Sequence, residues 1–335
     1  MSQPNDSRPL VSVVTAAYNR AAFLPETIQS ILSQSYPNIE YIVLDDGSTD
    51  NTREVLARYD GRIRWESHPN MGESLTVNKG WNMARGDLLI TVSSDDPLLP
   101  GLIQTGVEFM LAHPHVLVAY PDWLMIDSNG KVLEDVKTYE YNYLNMIRWN
   151  HCYPGPGTFI RKKCFALAGM RDPAYRLIGD FEYWLRLGLH GPFARIPRTL
   201  ATWRHHPQAA TITGRGEALA KEHVRLMQDF FARNDLSTEV RALKAEATAV
   251  AYFMAGDACF ARDYALTQRY WRQCLRLSAS CRMRLYPGGE PIHWREMLPR
   301  ILLPEWLYKP FRSCRRYVRD AHSALSRLAA GDRTG

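Results

Sequence analysis

The chain has 335 residues, 46% hydrophobic and 23% charged, a globular balance that excludes a disordered, collagen-like or coiled-coil protein and leaves room for about two domains. Its net charge of +6 resides in residues 282–335, where eleven Lys or Arg stand against five Asp or Glu, while the first 281 residues are balanced; a basic tail fits nucleic acid, an anionic membrane surface or an acidic substrate, so its sign selects none of them. No window reaches 18 uninterrupted apolar residues and MSQPNDSRPL lacks the basic-then-apolar order of a secretory signal, so the expected location is the cytoplasm.

After an N-terminal stretch, 1–8, expected to be flexible, LVSVVTA (10–16) is a continuous β-rich apolar run, the pattern of a strand buried on both faces. Leu24, Ile28, Ile31 and Leu32 then recur at helical spacing, and Tyr36-Pro37-Asn38 ends that helix. IEYIVLD (39–45) is a second strand, Asp46-Gly47-Ser48 turns the chain, and Asn51 with Glu54 predicts a capped helix over 52–59. RIRWE (62–66), a helix over 74–84, a break at Gly86 and DLLITV (87–92) continue the alternation, which predicts a mainly parallel α/β sheet. A helix over 99–112, a strand at 116–120 and a hairpin turning at Ser128-Asn129-Gly130 follow. Beyond Pro207 the periodicity is helical, with Ala255-Gly256-Asp257 placed at the turn of a helix pair that does not recur as an array. Six cysteines at 152, 164, 259, 274, 281 and 314 form no C-x-x-C pair, so reduced structural thiols are expected rather than a zinc knuckle or disulfide framework.

The turn after the first strand, AAYNRAAFL, has no glycine, and no G-x-x-x-x-G-K-[ST] occurs, which excludes the dinucleotide and P-loop phosphate cradles. Polar residues stand instead where open α/β sheets bind ligands, at the carboxyl ends of the strands: Thr15 to Asn19, Asp45-Asp46, and Ser93-Ser94-Asp95-Asp96. Mg²⁺ and Mn²⁺ bind through one or two carboxylates plus substrate phosphates, so Asp95 or Asp96 suffices as a protein anchor. A solvated Asp-Asp-Pro turn is the competing reading.

VSVVTAAYNRAAFLPETIQSILSQSYPNIEYIVLDDGSTDNT and NMGESLTVNKGWNMARGDLLITVSSDDPLLPG together resemble the amino-terminal half of family two glycosyltransferases of the GT-A fold. The likeness is dense over 9–105 and looser to 207, where GDFEYWLRL resembles the family's acidic segment and WRHHP its histidine segment. It implies a Rossmann-like, mainly parallel sheet flanked by helices over 9–207, with a nucleotide-sugar half (9–105) and an acceptor half (106–207), followed by a helical extension (208–281) and a basic amphipathic tail (282–335). It also implies inverting transfer of a sugar from a nucleoside diphosphate sugar, a UDP-sugar being the expected donor, to a hydroxyl of a glycan or lipid-linked glycan in cell-surface polysaccharide or glycolipid synthesis. Transfer to a polyprenyl phosphate and a non-catalytic sugar-nucleotide or polysaccharide-binding protein are the alternatives.

Residue by residue, the resemblance implies that Tyr18 stacks on the base and Asp46 hydrogen-bonds to it, with Thr15, Asn19, Asn78, Ser93 and Ser94 around the donor. Asp95 matches the metal-binding acid of the D-x-D segment, Ser93 replacing the first acid, and His206 matches a histidine that reaches the metal, Mn²⁺ or Mg²⁺, or the diphosphate. Asp180 matches the general base, with Gly179 where a neighbouring acid is usual. Val77 stands where many members have Arg, which leaves Lys79 or Arg204 for the diphosphate. On the residues alone, Asp180 also reads as a helix cap and His206 as a surface histidine; Glu182 is the reserve base and Trp184 a core aromatic. The loop 151–158 is an acceptor-facing loop or a plain connector. MLPRILLPEWLYKPFRSCRRYVRDA (297–321) reads either as an interfacial segment on the cytoplasmic face of a membrane or as a solvated basic helix. Nucleic acid is not an expected partner, since no recognition motif accompanies the charge.

Overall fold

The structure, a computed structural model, describes residues 8–209, 213–214, 216–278, 298–299 and 301–308. Cys281, Cys314 and nearly all of the basic tail lie outside the described residues. Continuous apolar runs form the centre of the sheet: β1 (Val11–Ala17) pairs in parallel with β2 (Ile39–Asp45) and β4 (Leu88–Thr91), and β2 with β3 (Arg64–Ser67). Both faces of β1 are buried, as that run predicts. Beyond β4 the sheet becomes mixed. β7 (Phe159–Arg161) runs antiparallel between β4 and β5 (Val118–Ile126), and β6 (Val132–Val136) forms the expected hairpin with β5. β8 (Phe193–Arg204) lies parallel along the other edge of β5, from Val118 against Phe193 to Ile126 against Arg204. The last pairing carries the chain back to the loop after β4.

Helices cover both faces. α1 (Leu24–Leu32), α2 (Thr52–Ala57) and α4 (Leu102–Ala112) share one core, in which Ile28 and Ile103 meet the Val11 and Val13 side of β1. α3 (Glu73–Met83) and α7 (Gly179–Leu187) cover the other, where Val14, Val77, Trp81 and Tyr183 belong to a second core. α5 (Tyr143–Arg148) and α6 (Cys164–Ala168) are short links on that side. α2 is capped differently from expectation: Asn51 makes no side-chain cap, and Oδ1 of Asp50 accepts the backbone N–H of Thr52 instead.

Beyond 207 the helices are α8 (Glu217–Phe231), α9 (Thr238–Ala242), α10 (Lys244–Cys259) and α11 (Tyr264–Ser278). Leu226, Met227, Phe230 and Phe231 of α8 enter the core built on α3 and α7. The turn of the helix pair does not fall at Ala255-Gly256-Asp257. These residues are inside α10, and the chain turns between Cys259 and Tyr264. Gly256 is needed for another reason: a Cβ there would lie 2.3 Å from the Trp271 indole, so its absence lets α10 and α11 approach. Cys152, Cys164 and Cys259 are free thiols.

Candidate active site

A cavity of about 570 Å³ opens at the carboxyl ends of β1, β2 and β4, where open α/β sheets place their ligands. Tyr18 and Arg20 follow β1, Asp46 follows β2, and Ser93, Ser94, Asp95 and Asp96 follow β4; all line it. The first turn of α3, the loop Pro154–Thr158, Arg171, Arg176 and Asp180 at the start of α7 line it as well. Asp95 and Asp180 therefore border one space.

On the side of the first three strands, Tyr18 is 47% exposed and offers a ring to the cavity. Asp46 is fixed from beneath, its two carboxylate oxygens accepting the N–H groups of Met71 (2.7 Å) and Gly72 (3.0 Å). Asn19 has a positive φ of 54° and its Oδ1 accepts from Thr49 N (2.8 Å), so it braces the wall without lining the cavity. Thr15 also stays out: it is fully buried, its hydroxyl 3.1 Å from that of Tyr41. Successive strand residues face opposite ways, and Ala16, its neighbour, lines the cavity. Asn78 is spent on the backbone of Arg171, donating to its carbonyl (2.8 Å) and accepting its N–H (3.0 Å).

Neither cation named for the diphosphate is available in this arrangement. Lys79 pairs with Glu66 at 2.5 Å and does not line the cavity; on α3 it lies about 200° around the helix from Val77, which does. Arg204 lines it but is 1% exposed, with Nε on the Asp95 carbonyl (2.9 Å), Nη1 on the Asp127 and Ser128 carbonyls and Nη2 on Glu26 (2.6 Å). Its backbone N–H donates to Asp96 (2.7 Å). Burial, with Asp95 next to it, pushes the Asp96 carboxyl well above the usual range.

Asp95 presents Oδ2 to His206 Nε2 at 2.9 Å and to Arg20 Nε at 3.1 Å. His206 is 2% exposed and packs on Phe23, which rules out the surface-histidine reading, whereas His205 is exposed. The 2.9 Å separation suits shared coordination, because adjacent ligands of an octahedral ion with bonds of about 2.1 Å lie about 3 Å apart. Among the described residues no group of three or more His, Cys, Asp or Glu could hold an ion unaided. An ion here would need oxygens from a substrate.

Asp180 is exposed at the second position of α7, whose N-cap is Ile178; its Oδ1 accepts the N–H of Phe181 (2.8 Å). It is thus not the N-cap of its helix. A Cβ at Gly179 would stand 2.6 Å from Ser74 Oγ, which donates to the Tyr175 carbonyl, so the close fit of α7 on α3 leaves no room for an acid there. Glu182 points the other way, paired with Arg186 and 6% exposed, which removes it as the reserve base. Trp184 is both 4% exposed core and part of the cavity wall, to which Trp203 also contributes. The loop 151–158 is an active wall element, not a plain connector, since Pro154 to Thr158 border the cavity.

Sequence reasoning missed Arg20, Glu73, Arg171 and Arg176. Glu73 lines the cavity with an exposed side chain, 57% accessible, its carboxylate 3.3 Å from Arg171 Nη1. Only Arg20, directly after the Tyr18-Asn19 pair, carried a local signal.

Residues 12–166 match the model of glycosyl transferase family 2. They form a family 2 glycosyltransferase domain. An uncharacterized glycosyltransferase of Haemophilus influenzae is 32% identical over 147 residues, 42% of this chain and 58% of that protein. The putative teichuronic acid biosynthesis glycosyltransferase TuaG of Bacillus subtilis is 36% identical over 109 residues, 31% of this chain and 43% of TuaG. The chain thus spans about half the length of these relatives. S. aureus TarS 1–349 in complex with UDP-GlcNAc superposes with a TM-score of 0.62 at 16% identity, over 82% of this chain and 84% of that one, a likeness of fold. The glycosyltransferase domain has the α/β GT-A architecture, its cavity at the strand ends.

Proposed function

We propose that the protein is an inverting, metal-dependent glycosyltransferase that moves a sugar from a nucleoside diphosphate sugar, in our reading a UDP-sugar, to a hydroxyl of a cell-surface glycan or lipid-linked glycan. The observation that carries this reading is that Asp95 and Asp180 border one cavity in a family 2 domain. Breaking the bond from the anomeric carbon to a phosphate oxygen places growing negative charge on the diphosphate. Asp95 and His206 would hold Mn²⁺ or Mg²⁺, which supplies the neutralising charge there. Tyr18 stacks on the base, and Asp46, Ser93 and Ser94 border the donor. Asp180 takes the proton of the attacking hydroxyl from the opposite side of the sugar, so a single displacement inverts the anomeric carbon. TuaG and TarS motivate the polysaccharide setting and the uridine nucleotide.

A thermal-shift screen of nucleotide sugars with and without Mn²⁺, followed by donor hydrolysis, tests the reading. A donor that stabilises the protein only with the metal and is hydrolysed is the expected result. Failure of every nucleotide sugar to bind contradicts it.

The same reading places the protein in the cytoplasm, at the inner face of the membrane. Leu302, Trp306 and Leu307 are 70%, 74% and 43% exposed within the basic tail, which suits an interfacial contact; among the described residues no helix is long and apolar enough to cross a membrane. Flotation with anionic vesicles, comparing the full chain with one ending at 281, is expected to show loss of lipid association on truncation. Equal flotation removes the membrane from the account.

A further inference from the structure

We infer that Arg171 and Arg176 form an anion subsite beside Asp180 that holds a phosphate or carboxylate group of the acceptor. Four arginines line the cavity: Arg20, Arg171, Arg176 and Arg204. Two are committed. Arg204 is spent on three carbonyls and Glu26, and Arg20 on Asp95 and the carbonyls of Tyr18, Asn19 and Gln208.

The other two keep unused donors. The Arg171 side chain is 8% exposed and lies over the Trp81 ring at 5.4 Å, with Nη1 3.3 Å from Glu73. Its Nε is buried with no hydrogen-bond partner among the described residues. Arg171 lines the cavity and its Nη2 makes no hydrogen bond among the described residues, so an anion there can accept a charge-assisted bond from it. Arg176 is exposed, borders the same cavity, and its side chain makes no hydrogen bond or ion pair among the described residues. Its backbone is nonetheless fixed: the N–H groups of Arg176, Leu177 and Ile178 donate to the carboxylate of Glu222 on α8. The helices beyond 207 thereby hold the segment that leads into Asp180.

The lining residues place the subsite beside Asp180: Arg176 stands four residues before it in the segment that leads into α7, and Arg171, Arg176 and Asp180 border the same cavity. Glu73 and Asp180 disfavour an anion there, and Arg171 and Arg176 must outweigh them. The assignment rests on the proposed function, in which Asp180 faces the acceptor and the donor diphosphate lies by Asp95. It makes an acceptor with a fixed negative charge, such as a phosphorylated or uronate glycan, the favoured class.

The test titrates inorganic phosphate into the full-length protein and its Arg176→Ala and Arg171→Lys variants, and measures hydrolysis of the donor found by the screen. Phosphate is expected to bind the wild type without raising the donor KM, and Arg176→Ala to weaken phosphate roughly tenfold with donor KM unchanged. Arg171→Lys keeps the charge but loses the planar guanidinium fork, and is expected to weaken phosphate about threefold or more. No phosphate binding, or equal binding by Arg176→Ala, overturns the subsite. Competition of phosphate with the donor, with a matching rise of donor KM in Arg176→Ala, assigns the arginines to the diphosphate and overturns the acceptor assignment. Phosphate binding lost in Arg176→Ala, in a protein that hydrolyses no donor, upholds the subsite and contradicts the transferase reading alone.

Discussion

His206 Nε2 lies 2.9 Å from Asp95 Oδ2, a contact that joins residues 111 positions apart and ties the end of β8 to the loop after β4. If the pair shares an ion, His206→Ala leaves a carboxylate alone in the protein's share of the coordination. Mn²⁺-supported nucleotide affinity is then expected to fall about 10- to 100-fold, with metal-free affinity unchanged. Calorimetric titration of nucleotide with and without Mn²⁺ measures both.

Glu182 and Asp180 are separated by two residues but by their environments as well. Glu182 holds Arg186 in a part-buried pair, and Arg186 also donates to the carbonyls of Ala168 and Met170. Glu182→Gln is expected to cost about 1–3 kcal/mol of stability in urea unfolding, yet to leave turnover per folded molecule within about twofold.

His223 on α8 is buried, with Nδ1 unpartnered among the described residues, and burial pushes its imidazole down to about 4 from the ordinary 6.5. Between these values the unfolded chain binds the proton and the folded chain does not, so this contribution is complete above pH 6.5 and is lost as pH falls towards 4. The full loss is about 3 kcal/mol. Urea unfolding from pH 7 to 4 is expected to be less steeply acid-sensitive in His223→Leu.

Gly256 faces Trp271, which is fully buried between Phe253 and Phe260. The indole cannot yield freely there, so Gly256→Ala is expected to destabilise the α10–α11 pair by about 1–3 kcal/mol despite its better helix propensity. Denaturant melts of the two proteins compare this directly.

The buried parallel strands were legible because they are unbroken apolar runs; β1 and β2 fall within one residue of expectation. β7, α5 and α6 were not, being three to six residues long and held by neighbours distant in sequence. Gly256 read as a turn because a sequence shows a missing side chain but not the indole that requires its absence. In the site, Asp95, Asp180, Tyr18 and Asp46 were legible by resemblance, and all border the cavity. Thr15 and Asn78 are adjacent in sequence to lining residues and Lys79 lies two past one, yet all three point elsewhere, a matter of strand and helix phase. Arg171 and Arg176 gain meaning only when the 171–180 segment folds against α3 and Glu222, which no local pattern announces.

Paired kinetics of Asp95→Asn and Asp180→Asn bear on the division of labour between the two carboxylates. With the donor identified by the screen, Asp95→Asn is expected to lose Mn²⁺-supported donor binding together with transfer. Asp180→Asn is expected to keep the donor Kd within about twofold while transfer to a hydroxyl acceptor falls by a factor of about 100 or more. Near-normal transfer by Asp180→Asn, or metal-supported donor binding that survives in Asp95→Asn, would contradict the account.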